Sequence, residues 1–96
     1  MFVLALRVEL HLPACRSLKD RRQAINPILD GARHRFRVSA AEVDHADKWQ
    51  RADLGFAVVA GQAHHCVDVM DDIERFVWSF PAIEVVGSER SWLEQG

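Results

Sequence analysis

Between residues 42 and 53 the chain places Glu42, Asp44, His45, Asp47 and Asp53 around Trp49 and Arg51. Carboxylates beside an imidazole can pass protons in general acid–base steps or share a divalent ion. The segment holds no serine or cysteine to serve as a nucleophile. The same residues also suit turn chemistry: Asp44 and Asp47 cap turns between strands, Trp49 anchors the loop in the core, and Arg51 pairs with a nearby acid. Loops carry both kinds of chemistry, and turn formation is the commoner use. The expectation is therefore a non-enzyme without a cofactor. A small-anion-binding enzyme built on Asp44, His45, Asp47, Trp49 and Arg51 remains as an alternative.

A second chemistry lies in residues 16–37, which hold Arg16, Lys19, Arg21, Arg22, Arg33, Arg35 and Arg37 against only Asp20 and Asp30. Residues 38–96 carry eleven acids and four bases, although the net charge of the whole chain is only −2. If 18–36 is a helix, Lys19, Arg22 and Arg33 fall within ~60° on one flank of its apolar stripe, and Arg21 and Arg35 within ~40° on the other. Such a set can contact the phosphates of RNA or of a ribosomal subunit, with affinity that falls as salt rises. The plainer reading is a solvated helix whose cations lie over the edge of the core and pair with Asp20 and Asp30. Arg16 and Lys19 also stand where a helix N-terminus favours an anion. No glycine-rich phosphate loop follows Leu12, which argues against a phosphatase.

Three other signals are weaker. His64, His65 and Cys66 are consecutive, and consecutive helical residues diverge by about 100°, so they do not converge on one ion. His65, Asp68 and Asp72 share a face, but an exposed acidic one; no metal is expected. Leu54 to Val59 reads L-G-F-A-V-V, close to an RNA-binding strand pattern that needs a basic first residue and further aromatics. Only Phe56 matches, and a core or dimer-facing role suits it better. Cys15 and Cys66 lack the spacing of a zinc site and are expected as free thiols rather than a disulfide.

The elements that must position these residues follow from apolar periodicity. Leu4, Leu6, Val8, Leu10 and Leu12 alternate with Arg7, Glu9 and His11, which predicts a half-buried strand ended by Pro13. Ser17 with Asp20 resembles a capping box and opens a helix near Leu18. Leu18, Ile25, Ile28, Leu29, Ala32 and Phe36 form its inner face, and Pro27 predicts a kink or opened turn. Two strands, RVSAAEV and LGFAVVA, are expected around a polar loop DHADKWQRA, as an antiparallel pair. Cys66, Val67, Met70, Ile73, Val77 and Phe80 predict a second helix, and AIEVVGSERSWLE a last strand with a bulge or bend at Gly87. The order βαββαβ points to an α+β, ferredoxin-like fold: a four-stranded antiparallel sheet with two helices on one face.

The 96 residues leave room for one core, so a single domain over 1–96 is expected. No stretch approaches the ~20 apolar residues of a membrane span. The N-terminal run has no basic leader and is interrupted by Arg7, Glu9 and His11, so it is read as structure and the chain as cytosolic. The uncovered sheet face of such a fold, or an edge strand, can pair with a second copy, which makes a structural or regulatory homodimer the rival of RNA binding.

The strings LRVELHLPACRSLKDRR and RFRVSAAEVDHADKWQRADLGFAVVA resemble the YlxP-like family of domains of unknown function. Most specific are Ser17 to Arg22 and Ala41 to Gly55. The resemblance runs over nearly the whole chain and implies a ferredoxin-like bacterial cytosolic protein. Genes of this family often stand among those for transcription elongation, translation initiation and small-subunit maturation, and no catalytic residue is carried over.

Overall fold

The computed structural model describes residues 1–45 and 48–93. The elements run β1 (Phe2–His11), α1 (Leu18–Phe36), β2 (Ser39–Asp44), β3 (Arg51–Ala60), α2 (Ala63–Trp78) and β4 (Glu84–Trp92). The sheet order is β2-β3-β1-β4, with every neighbouring pair antiparallel. This is the ferredoxin-like arrangement expected from the βαββαβ order.

Alternation along β1 sends Leu4, Leu6, Val8 and Leu10 into the core beside Leu54, Phe56 and Val58 of β3. Ile25, Ile28, Leu29 and Ala32 of α1 and Cys66, Met70, Ile73 and Val77 of α2 close that layer. The opposite sheet face carries Arg7, Glu9 and His11 of β1 beside Arg51, Asp53 and Gly55 of β3. No helix is long and apolar enough to cross a membrane.

α1 begins where the capping pattern places it. The Ser17 hydroxyl accepts from the Asp20 amide at 3.1 Å, and the Asp20 carboxylate accepts from the Arg16 amide at 3.1 Å, one residue earlier than the reciprocal bond of a capping box. The helix continues through Pro27 without a break. Pro27 and Gln23 both face solvent, so water can serve the Gln23 carbonyl that loses its amide partner. The chain leaves the helix through Arg37 in the left-handed conformation (φ 53°), with its amide bonded to the Arg33 carbonyl.

β3 starts three residues before the expected run, at Arg51 rather than Leu54. His11, Leu10 and Glu9 pair with Arg51, Ala52 and Asp53, so the polar residues are the half of an ordinary alternation that lies on the sheet face away from the helices. Two register shifts interrupt the sheet. One lies between Glu9 and Leu10 opposite β4, where Val86 beside Gly87 is the extra residue. The other lies between Glu42 and Asp44, where Val43 has no partner on β3.

Candidate functional site

The shift at Val43 builds the polar cluster predicted from residues 42–53. A bulged residue turns its strand and re-aims the side chains that follow. Glu42, opposite Leu54, turns to the helix side, whereas Asp44 stands opposite Asp53 on the open face. His45 then adopts φ 62°, left-handed for a residue with a Cβ. Its carbonyl is held by the Lys48 amide and by the Arg21 guanidinium, each at 3.0 Å.

Around Asp53 the open face is densely ionic. Arg7 of β1 reaches Asp53 Oδ2 with Nε at 3.0 Å and a terminal nitrogen at 2.5 Å, and approaches Asp44 Oδ2 at 3.5 Å. His45 Nδ1 lies 3.2 Å from Asp53 Oδ1. An ionised carboxylate only accepts, so Nδ1 is the donor in this contact. The Asp53 side chain is only 4% exposed and the Arg7 side chain 51%. The Asp44 carboxyl is held below the usual carboxylate range, first by the backbone N–H of His45 and then by the His45 ring and Arg7. The bond to Asp53 keeps the Arg7 guanidinium firmly charged.

Asp44, His45 and Asp53 each present a donor atom within 4.8 Å of the others, a separation that suits a shared cation. Arg7 already supplies positive charge to both carboxylates, and a divalent ion would have to displace it. The cluster is therefore an ion-pair network joining β1, β2 and β3. Sequence reasoning misses Arg7, which reads there only as one polar residue of the β1 alternation. Asp47 lies outside the described residues. Arg51 pairs with Glu9 at 2.5 Å, the acid partner expected of it.

Arg21 corrects the sequence reading most sharply. Expected with Arg35 on a flank of the apolar stripe as a phosphate contact, it is instead buried, 3% exposed, and paired with Glu42. It also donates to the carbonyls of His45 and Arg51. Its flank of α1 meets the β2–β3 turn, and the guanidinium bonds there in three directions, to Glu42 and to the carbonyls of His45 and Arg51. Arg21 is a positioning residue for the Asp53 cluster and is unavailable to a phosphate.

The other cations of 16–37 divide into two groups. Arg33 pairs with Asp30 at 3.0 Å and donates to the Ala40 carbonyl at 2.5 Å. Arg35 lies over the rings of Phe36 and Phe76, 5.3 and 5.1 Å from their centroids. Arg16, Lys19, Arg22 and Arg37 are exposed and hold no ion pair among the described residues. Elsewhere Arg7, Arg51, Arg75 and Arg90 are all paired with carboxylates.

Trp49 is 54% exposed and does not anchor its loop. Gln50 does so instead: its carbonyl accepts from the Leu12 amide at 2.9 Å, and its side-chain amide donates to the Pro13 and Cys15 carbonyls at 3.4 and 3.3 Å. A short bifunctional amide can satisfy several backbone groups, which a single indole N–H cannot. His64 and His65 are exposed, whereas Cys66 is buried with its thiol 3.7 Å from the Phe2 carbonyl. Both cysteines are buried free thiols, and burial pushes the Cys15 thiol up. Phe56 is buried on the helix side of the sheet, as its core reading requires, and offers no stacking surface.

Residues 3–90 match the family described as "Protein of unknown function (DUF503)". The chain is also similar to "Uncharacterized protein YlxP" of Bacillus subtilis (strain 168), with 32% identity over 76 residues, covering 79% of this chain and 83% of that protein.

Proposed function

The chain belongs to the DUF503 family, for which no function is described, and from its geometry we propose a non-catalytic accessory module that binds RNA through the solvent face of α1. One observation carries this reading. Ion pairs consume the arginines of the sheet and of α2, while Arg16, Lys19, Arg22 and Arg37 keep their charge unshared among the described residues. Paired charges largely cancel at a distance, whereas unshared cations project a positive field. Lys19 to Arg37 spans about 27 Å of helix rise, enough to follow several phosphates. An RNA-rich ribosomal subunit is the partner this surface fits best.

Cosedimentation with ribosomal subunits at low and moderately high salt tests the reading. Binding is expected to saturate on one subunit and to be released by salt. Lys19→Ala with Arg22→Ala should weaken it about tenfold or more and reduce the slope of log K against log salt by roughly 1.4–1.8, two phosphates' worth. An unchanged slope removes α1 from the interface.

A second reading is favoured by the open sheet face. Its groove of ≈ 500 Å³ is floored by Ala5, Ala41, Gly55 and Ala57 and walled by Val43. Val43, Val59 and Leu93 are exposed. Two such faces can cover one another in a homodimer. Light scattering at micromolar protein should then give a doubled mass, and a monomer there rules the dimer out. Turnover on the Asp44 to Asp53 loop is the least supported reading, because Arg7 occupies both carboxylates and, among the described residues, no hydroxyl or thiol joins the cluster.

A further inference from the structure

We propose that Trp49 is a stacking platform for an unpaired base of single-stranded RNA, a base-contacting extension of the α1 phosphate surface; this rests on the RNA reading above. Trp49 presents its indole to solvent from a turn whose backbone is fixed on both sides. Before it, the Lys48 amide is bonded to the His45 carbonyl; after it, Gln50 is bonded to Leu12, Pro13 and Cys15. A large apolar surface held out by a pinned turn gains nothing for the core, and a π face beside cations is what a splayed base requires.

Lys48 supplies a cation that holds no ion pair among the described residues. Trp49 lies in a notch of ≈ 530 Å³ with His11, Lys48, Gln50 and Arg51. Among the described residues, Glu9 is paired with Arg51 and Glu84 lies 3.1 Å from His11 Nδ1. The turn is also tied to the segment that leads into α1. Gln50 bonds the Cys15 carbonyl, the next residue is Arg16, and Ser17 caps the helix that carries Lys19 and Arg22. A strand whose phosphates lie on Arg16 and Lys19 thus has an aromatic face within the same end of the molecule. The other exposed tryptophans lack this setting: Trp78 ends the acidic helix, and Trp92 packs edge-on against Phe2 with centroids 6.3 Å apart.

The test uses the full chain with a short single-stranded oligouridine and a duplex of the same length. In a variant carrying Trp78→Phe and Trp92→Phe, the single strand should quench the remaining Trp49 emission and the duplex should not. Trp49→Ala should weaken single-strand binding about tenfold while leaving the salt slope unchanged, because stacking involves no counterion release. Trp49→Phe should recover most of that loss. Trp49 is exposed, so folding should survive the change, as circular dichroism will report. If Trp49→Ala binds the single strand like its parent while Lys19→Ala with Arg22→Ala does not, the platform is wrong and the helix reading stands. If the parent binds neither RNA at low salt, both fall.

Discussion

Arg21 and Arg22 are neighbours in the chain, yet one is 3% exposed among four bonds and the other stands in water. The difference is a turn of about 100° about the helix axis, which moves a side chain from solvent to the seam between α1 and the β2–β3 turn. Removing one partner of a buried pair leaves the other's groups stranded. Arg21→Met keeps the aliphatic stem but abandons Glu42 and the carbonyls of His45 and Arg51. It is expected to lower stability by about 2–4 kcal/mol, a large part of the few kcal/mol that hold a small domain together. Urea unfolding will measure it, and a midpoint unmoved by the change would show that the seam is held by other contacts. Arg22→Met should leave the midpoint alone. A periodicity argument places both residues on the helix but cannot see which flank is covered, since the cover comes from a turn more than twenty residues away.

At the scale of elements, the strands and helices were legible because apolar alternation and helical spacing are local. β1 reads directly from Leu4 to Leu12, and the start of α1 from Ser17 and Asp20. The Val43 bulge was not legible, because a register shift depends on two strands together and leaves no mark in either alone. Without it, the convergence of Asp44, His45 and Asp53 with Arg7 could not be derived. Gly55 is the part of this device that the sequence does contain. A Cβ there would meet Val43 Cγ1 at 2.7 Å, so the bulged valine folds over a backbone that has no side chain of its own. Gly55→Ala should destabilise by about 1–3 kcal/mol through overpacking. Val43→Ala should restore part of that loss in the double variant, with a coupling above about 0.5 kcal/mol in a double-mutant cycle. Additive losses would mean that the valine moves freely and does not set the bulge.

Across the whole molecule, charge is segregated rather than scarce. The net charge of −2 hides a basic α1 and an α2 that carries Asp68, Asp71 and Asp72. Asp71 and Glu74 hold Arg90 of β4 and Asp72 holds Arg75, while Asp68 is exposed with no ion pair among the described residues. Two kinds of RNA attraction can be separated on that basis. If the overall field governs binding, any exposed residue that changes the net charge should act equally. If the α1 face governs it, position decides, because contributions beyond a Debye length of roughly 8–10 Å are screened at physiological salt. Asp68→Lys raises the net charge by two and Lys19→Glu lowers it by two, both at solvent-facing helix positions. In binding to ribosomal subunits, Asp68→Lys is expected to change affinity less than about twofold and Lys19→Glu to reduce it by more than about tenfold. Equal and opposite changes would mean that the molecule binds through its total field, and that the unshared cations of α1 are a solvated helix face.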